Sequence, residues 1–291
     1  MTRRILEIPD LASLREALWP DPVESPFVGS LQSPEHLPMY PPGARPRPGS
    51  LCSDNLDVDS HWHFHDMHQL LFAFEGAIEV ESDRGRHLIP RQLAAWIPAG
   101  VAHRASVHGA RQGSVLFTAD MVADPQKRVR TVIVSGLMRE MMREARRWPL
   151  HEPETPVRQA FFQAMAGLCG EWIAREADLF LPTGADPRVR RALDYTSRQA
   201  EAKLTEVCAH AGISERSLRR RLKAETGMTW EAHRQRRRLL QAVSLLSESD
   251  APVTEIAASC GFESPSAFAK AFRHAMGEAP RAYRNRVRDA R

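Results

Sequence analysis

The 291-residue sequence lacks the features on which disulfide-rich, zinc-finger and membrane-spanning proteins depend. Its four cysteines are scattered and include no Cys-x-x-Cys pair, which indicates reduced and mostly buried thiols. No apolar run reaches the length of about 18 residues that a membrane span needs, so we expect no membrane contact. The first residues contain no apolar signal core, and we therefore expect a cytoplasmic protein.

Net positive charge is absent from the first two thirds of the chain. Residues 188–291 contain 21 Lys and Arg against 12 Asp and Glu, a net charge of +9, and the remaining residues carry −5. A basic segment on a mildly acidic body favours a module that contacts a polyanion. A solvated basic face would give the same charge, so charge alone does not decide between the two interpretations.

Local composition separates an N-terminal arm from a β-rich segment. Residues 1–50 include nine prolines between positions 20 and 48, which excludes regular helix and predicts a proline-rich arm. Residues 51–120 contain short apolar runs with the alternation of β-strands, punctuated by glycines. Many short strands at this spacing predict a small β-barrel or sandwich.

The second half of the chain has the longer apolar period of helices. Residues 121–181 have apolar positions three and four apart, which predicts amphipathic helices at 131–148 and 156–176. Their apolar sides could cover the barrel or pair two subunits, so this segment is a predicted dimerisation or linker region. Proline and glycine after residue 181 mark a domain boundary. Residues 182–291 are predicted to be all helical, which gives an α+β protein.

An internal repeat lies in this last segment. The stretch 204–212 matches 253–261 at an offset of 49, and the apolar and glycine positions that follow match at an offset of 50. Gly212 and Gly261 follow the first helix of each copy, where a left-handed residue is needed. Ser214 and Ser264 can cap the second helix. Each copy is therefore a predicted helix-turn-helix, and a helix at 230–248 joins the two.

Residues 188–286 resemble the DNA-binding domain of AraC/XylS-type transcription regulators. The resemblance rests on the run from Ile256 through Gly261-Phe262 and Phe268 to Gly277-x2-Pro280-x2-Tyr283-Arg284, and it covers about a third of the chain. It implies a tandem helix-turn-helix whose second helices enter the major groove. Outward arginines on the first of these helices can grip guanine or phosphate. The residues placed at DNA are Arg216, Arg219, Arg220, Lys223, Ser266, Ala267 and Lys270.

A second cluster of polar residues lies in the β-rich segment. His61, His63 and His65 alternate along one predicted strand and would share a face. The arrangement His63-x-His65-x3-Gln69, followed by Pro98-x-Gly100-x2-His103, resembles the two motifs of cupins, whose histidines and glutamate hold a divalent ion. Three neutral imidazoles with an open position suit zinc, iron, nickel or manganese.

The sequence departs from the cupin pattern at Gln69, which stands where glutamate is usual and is a weaker metal ligand. His63, His65, Gln69 and His103 therefore form either a metal site or a small-molecule pocket in which the histidines only make hydrogen bonds. His61 or His68 could assist. The resemblance implies a cupin-like β-barrel sensor ahead of the DNA-binding domain.

Three functions remain open from the sequence. The first is a regulator that binds promoter DNA and senses a small molecule or metal ion, acting as a homodimer with RNA polymerase as a further partner. The second is a cupin-type metalloenzyme, which leaves the C-terminal third unexplained. The third is a purely metal-dependent repressor. We expect the first, and we expect the protein not to be an enzyme.

Overall fold

The computed structural model describes residues 33–174, 176–177, 179–199 and 202–288. Most of the predicted proline-rich arm, residues 1–32, lies outside this range. The described chain places a β-rich domain first and a helical domain second, which confirms the predicted α+β layout. The described helices include none that is long and apolar enough to cross a membrane.

Within the described residues, ten strands build the β-domain. They are β1 (Glu35–His36), β2 (Gly49–Asp59), β3 (His63–Phe64), β4 (Met67–Glu75), β5 (Ala77–Ser82), β6 (Gly85–Pro90), β7 (Leu93–Ile97), β8 (His103–Thr118), β9 (Arg130–Ile133) and β10 (Leu181–Pro182). The 16-residue strand β8 pairs with β5 through its first part and with β4 through its second part. It therefore belongs to both halves of one folded sheet.

The sheet is open rather than closed into the predicted barrel. Its strand order is β10-β6-β5-β8-β4-β7-β9, and no ladder between described strands joins the two ends. At one end, β10 has two residues and includes Pro182, which has no backbone N–H to donate. At the other end, Val132 of β9 forms an isolated bridge with Glu176, and the Ala177 amide donates to the Thr131 carbonyl at 2.8 Å. Both edges are thus covered without ring closure.

Two helices cover the outer face of the β4–β7–β9 half. They are α1 (Gly136–Ala145) and α2 (Pro156–Ala174). Phe162 and Met165 of α2 are fully buried against Trp96 and Phe117 of the sheet. The prediction of a helix from residue 131 was wrong at its start, because Val132 pairs with Ala94 in the β7–β9 ladder. The helix begins only after its N-cap, Ser135, whose hydroxyl accepts from the Met138 amide at 3.1 Å.

The described part of the C-terminal domain contains seven helices. They are α3 (Pro187–Arg198), α4 (Leu204–Ala211), α5 (Glu215–Thr226), α6 (Trp230–Glu248), α7 (Val253–Ser259), α8 (Pro265–Met276) and α9 (Pro280–Arg288). The predicted joining helix, residues 230–248, is confirmed as α6. Leu240, Val243 and Leu246 along it are fully buried.

The two domains are in contact at several points. The Arg236 guanidinium of α6 donates to the carbonyl of Phe180, just before β10, at 3.0 Å. Arg86 of β6 forms an ion pair with Asp194 of α3 at 2.9 Å. The docking of the helical domain on the β-domain therefore involves both α3 and the joining helix α6.

Candidate DNA-binding surface and histidine cluster

In both helix-turn-helix units, a glycine with left-handed backbone conformation ends the first helix. Gly212 has φ +63° and Gly261 has φ +74°, the left-handed region that glycine adopts without steric cost. In the first unit the Gly212 amide donates to Ala209 and the Ile213 amide donates to Cys208. The second unit has the same two bonds at the equivalent positions. The Gly261 amide donates to the Ala258 carbonyl, and the Phe262 amide donates to the Ala257 carbonyl. These are the bonds of a Schellman helix end, so the repeat seen in the sequence is a repeat in structure.

The second helix of each unit is anchored from one side. Ser214 caps α5 by accepting from the Ser217 amide at 3.3 Å, and Ser264 caps α8 by accepting from the Ala267 amide at 3.2 Å. Each helix packs on its neighbours through two buried apolar side chains four residues apart. These are Leu218 and Leu222 on α5, and Phe268 and Phe272 on α8. The opposite side of each helix is left open to solvent.

That open side carries the residues predicted to contact DNA. The exposed residues are Arg216, Arg219, Arg220 and Lys223 on α5, and Ser266, Ala267 and Lys270 on α8. The first set is basic and the second is small and mostly uncharged. Lys223 donates to the carbonyl of Gly227 at 2.6 Å, so its ammonium stabilises the C-terminal end of α5.

Sequence reasoning missed two residues that position this surface. Glu231, in the first turn of α6, forms an ion pair with Arg219 at 2.5 Å and holds that guanidinium beside the joining helix. Arg221 pairs with Asp186, the N-cap of α3, and so ties α5 to the helix that precedes the first unit. The Asp186-Pro187 pair, an N-cap followed by proline at the first helical position, was the available signal for α3.

Three histidines of the β-domain come together, although His65 lies between β3 and β4 and not on one strand with His63. The ring centroids of His63 and His103 are 4.3 Å apart, those of His65 and His103 are 5.0 Å apart, and those of His63 and His65 are 6.2 Å apart. His65 and His103 are buried. His61 is exposed and takes no part. His68 lies elsewhere, stacked on Trp96 at 5.1 Å.

Burial keeps the histidine cluster uncharged. Desolvation lowers the pKa of His65 to about 4 and lowers the pKa of His103 well below its ordinary value. Desolvation also lowers the pKa of His63, and the hydrogen bond to the His61 carbonyl opposes it. Each ring sits near a backbone carbonyl through Nδ1, at 2.8 Å for His63, 2.6 Å for His65 and 2.9 Å for His103. Nδ1 is therefore the protonated nitrogen in all three rings.

Gln69 engages the remaining nitrogen of His65. Its side-chain amide lies 2.9 Å from His65 Nε2 and 2.7 Å from Ser114 Oγ. The structure places Gln69 Oε1 at His65 Nε2 and lets the Gln69 NH2 donate to Ser114 Oγ. Because a neutral ring with its proton on Nδ1 has none on Nε2, we infer that the oxygen and nitrogen of this amide are exchanged, with the NH2 toward His65 and the oxygen toward the Ser114 hydroxyl. Gln69 can donate this bond, whereas an ionised glutamate could not.

The arrangement does not fit a divalent metal. The lone pair of His65 Nε2 is already used by Gln69, which leaves two imidazoles where a stable site needs three or four ligands. In the described part of the chain, no group of three or more His, Cys, Asp or Glu side chains is arranged to hold a metal ion. The polar wall formed by His63, His65, Gln69 and His103 suits hydrogen bonding to an organic molecule instead.

Comparison with known proteins agrees with the C-terminal geometry. A family of helix-turn-helix domains matches residues 207–286. The HTH-type transcriptional regulator NimR of Escherichia coli K12 is 25% identical over 78% of this chain and 83% of its own length. The HTH-type transcriptional activator RhaR of Cronobacter sakazakii is 40% identical over 28% of this chain and 29% of its own length.

Among solved structures, ToxT from Vibrio cholerae is 11% identical and covers 82% of this chain and 98% of its own, with a TM-score of 0.35. That score is too low to support a structural inference. The two matched helix-turn-helix units and the regulators above define a DNA-binding transcription regulator. Residues 207–286 form the helix-turn-helix domain of this regulator.

Proposed function

We propose that α5 and α8 enter successive major grooves on one side of a promoter. The observation that carries this is the pair of structurally equivalent helix-turn-helix units with open second helices, on the third of the chain that has a net charge of +9. Two recognition helices held by one joining helix suit sites one helical turn apart, roughly 34 Å.

The two units have different roles in DNA binding, sequence discrimination for the first and phosphate contact for the second. Arg216, Arg219 and Arg220 of α5 have the forked donors that can bind guanine bidentately, so α5 supplies most of the sequence discrimination. Ser266, Ala267 and Lys270 of α8 are small or make a single charged contact, so α8 mainly anchors the phosphate backbone. Glu231 holds Arg219 until DNA replaces the carboxylate.

We propose the β-domain, whose sheet extends beyond the predicted residues 51–120 to β1, β9 and β10, as the sensor domain of a cytoplasmic regulator. Within the predicted segment 121–181, α1 and α2 are the proposed dimerisation helices, and residues 182–291 are the proposed DNA-binding domain. The effector is a small organic molecule that hydrogen-bonds to the His63–His65–Gln69–His103 wall. Each neutral ring directs its Nδ1 proton at a backbone carbonyl, which leaves the Nε2 atoms of His63 and His103 as acceptors and favours an uncharged ligand that donates hydrogen bonds. Near-stoichiometric metal in the purified protein would contradict this choice of effector.

The signal from sensor to DNA would pass through the domain contact. Arg86 binds Asp194 of α3, and Arg236 of α6 binds the Phe180 carbonyl. Both helices belong to the framework that carries the recognition helices. An effector that binds one docking arrangement more tightly than another shifts the population toward it, and thereby changes DNA affinity.

The test is genomic fragment enrichment followed by measurement of affinity. Purified protein is used to enrich promoter fragments, and fluorescence anisotropy then compares the protein's affinity for an enriched fragment with its affinity for a scrambled one.

Arg219→Ala is expected to weaken binding to the enriched fragment by about 1–3 kcal/mol and to leave binding to the scrambled one nearly unchanged. Arg147→Ala, at an exposed arginine beyond the end of α1, serves as the control. An equal loss on both fragments would demote Arg219 to a phosphate contact, and no enrichment at all would refute the proposed function.

A further inference from the structure

An arginine that has no carboxylate partner among the described residues lies buried where the β-domain meets α9. Arg139 of α1 is 8% exposed, and its Nη2 atom has no hydrogen-bond partner among the described residues. Burying an unpaired guanidinium is strongly unfavourable, because the charge loses its hydration and gains nothing in exchange. Such a group calls for an anion that is not one of the described side chains.

The neighbours of Arg139 increase the imbalance. Arg143 lies one turn along α1 from Arg139, and Arg286 donates to the Val134 carbonyl, whose own residue donates its amide to the carbonyl of Gln92, next to Arg91. Burial lowers the pKa of Arg139, and the charges of these three arginines lower it further. Arg143 has a carboxylate partner in Glu140 at 3.2 Å, and Arg286 has one in Glu278 at 2.6 Å. Among the described residues, ion pairs therefore supply two carboxylates to these four guanidinium groups.

A buried hydroxyl completes the cluster. Tyr283 of α9 is fully buried, and its Oη atom lacks a hydrogen-bond partner among the described residues. Burial raises the pKa of Tyr283, while the nearby charges of Arg286, Arg139 and Arg91 act in the opposite direction. The Arg286 guanidinium lies over the Tyr283 ring, 5.2 Å from its centroid, so the neutral hydroxyl belongs to the same cluster. Guanidinium forks together with a hydroxyl donor are the groups that bind the oxygens of phosphate and carboxylate.

We propose that Arg139, Arg91, Arg286 and the Tyr283 hydroxyl form a binding site for a small dianionic oxyanion, either a phosphate group or a dicarboxylate. The site joins the two domains. Arg91 and Arg139 belong to the β-domain, whereas Tyr283 and Arg286 belong to α9, and Arg286 already donates to the Val134 carbonyl at 3.2 Å. A bound dianion would neutralise the cluster and strengthen the docking of α9 on the β-domain. Its regulatory consequence, a change in DNA affinity, rests on the proposed function, but the binding itself does not.

The site is tested without DNA, by thermal unfolding of the full chain in a buffer that contains no oxyanion. Inorganic phosphate and succinate are titrated separately, each against sodium chloride at matched ionic strength. One of the two is expected to raise Tm saturably above the chloride reference, and which one does so distinguishes a phosphate ligand from a dicarboxylate. If neither exceeds chloride, the proposal is overturned.

Variants assign the effect to the cluster. Arg139→Gln is expected to weaken binding of the active anion at least tenfold, while Arg147→Gln, an exposed change, responds like the original chain. Arg139→Gln is also expected to be at least as stable as the original chain without anion, because it removes an unpaired buried charge. A purely structural Arg139 would give a lower Tm and an unchanged anion response, which would overturn the proposal. If Arg139→Gln does not fold, Arg91→Gln provides the same comparison of affinities at a partly exposed position.

Discussion

Arg158 is 1% exposed, and its hydrogen-bond acceptors among the described residues are all backbone carbonyls. It differs from Arg139 in that its guanidinium is well supplied with hydrogen bonds. Its guanidinium donates to the backbone carbonyls of Pro48 at 2.6 Å and Leu150 at 3.1 Å, and also to that of Glu152. These bonds hold the start of β2 and the loop before α2 together. We expect Arg158→Met to lower the free energy of unfolding by about 2–4 kcal/mol, because the buried carbonyls lose their donors.

Urea unfolding measures this loss, with Arg147→Met as an exposed control. Arg158→Lys should recover little of the stability, since an ammonium cannot present the planar fork that reaches several carbonyls at once. Full recovery by lysine would mean that charge alone, and not the hydrogen-bond geometry, fixes this corner of the β-domain.

The buried histidines make stability depend on pH in a defined direction. The folded-state pKa of His65 is lowered to about 4, and that of His233 on α6 is also lowered to about 4, mainly by burial. Between pH 4 and the ordinary value of 6.5, the unfolded chain binds protons that the folded chain does not. Stability is therefore complete above about pH 6.5 and falls as the pH drops toward 4, by on the order of 1.4 kcal/mol per pH unit for each histidine.

Urea unfolding at several pH values between 7.5 and 4.5 tests this dependence. His233→Gln is expected to flatten the slope, and His274→Gln, at an exposed position of α8, is expected to leave it unchanged. Equal slopes in both variants would show that His233 is not among the groups that make the protein sensitive to acid.

At the scale of elements, the turns of the helix-turn-helix units depend on one backbone conformation. A Cβ atom added at Gly212 would meet nothing within 4 Å, so a substitution there tests only the strain of φ +63°. Gly212→Ala should lower stability by about 1–2 kcal/mol. Gly136→Ala is the matched control, because it also meets nothing within 4 Å but lies at the start of α1 without a positive φ. Circular dichroism during thermal unfolding compares the two, and equal effects would contradict a left-handed requirement at residue 212.

The same elements show how far sequence reasoning reaches. Local signals predicted the helix-turn-helix repeat, because glycine at the helix end, serine at the cap and apolar residues four apart act within one short segment. The cupin-like motif grouped His63, His65 and His103, but strand alternation was wrong here, because His65 lies between β3 and β4 and His61 is exposed. The open sheet could not be predicted, since it depends on which distant strands pair with β8. The start of α1 was missed because Val132 has an apolar period compatible with a helix and is drawn into a strand by its pairing with Ala94.

At the scale of the whole molecule, the outer side of α2 is unusual for a solvent-exposed helix. Ala160, Ala164 and Gly167 are exposed along it, and Val157 at its start is 66% exposed. Of the exposed residues between Pro156 and Ala174, only Glu171 is charged. A surface helix normally places charged residues on its free side, so this face is better suited to a second copy of the chain than to water.

We therefore expect the protein to be a dimer that pairs through α2, and we expect Ala164→Arg to dissociate it. An arginine at this exposed position leaves the packing of Phe162 and Met165 on the sheet intact, but it places a charge where two close-packed helices would meet. Light scattering after size exclusion measures the mass, with Asp83→Arg in the exposed β5–β6 turn as a control that adds an arginine elsewhere.

Loss of the dimer should also weaken binding to a promoter with two sites far more than binding to a promoter with one site, because the second site is then no longer engaged by a linked partner. A dimer that persists in Ala164→Arg would place the subunit contact on another surface and leave the uncharged side of α2 without a partner.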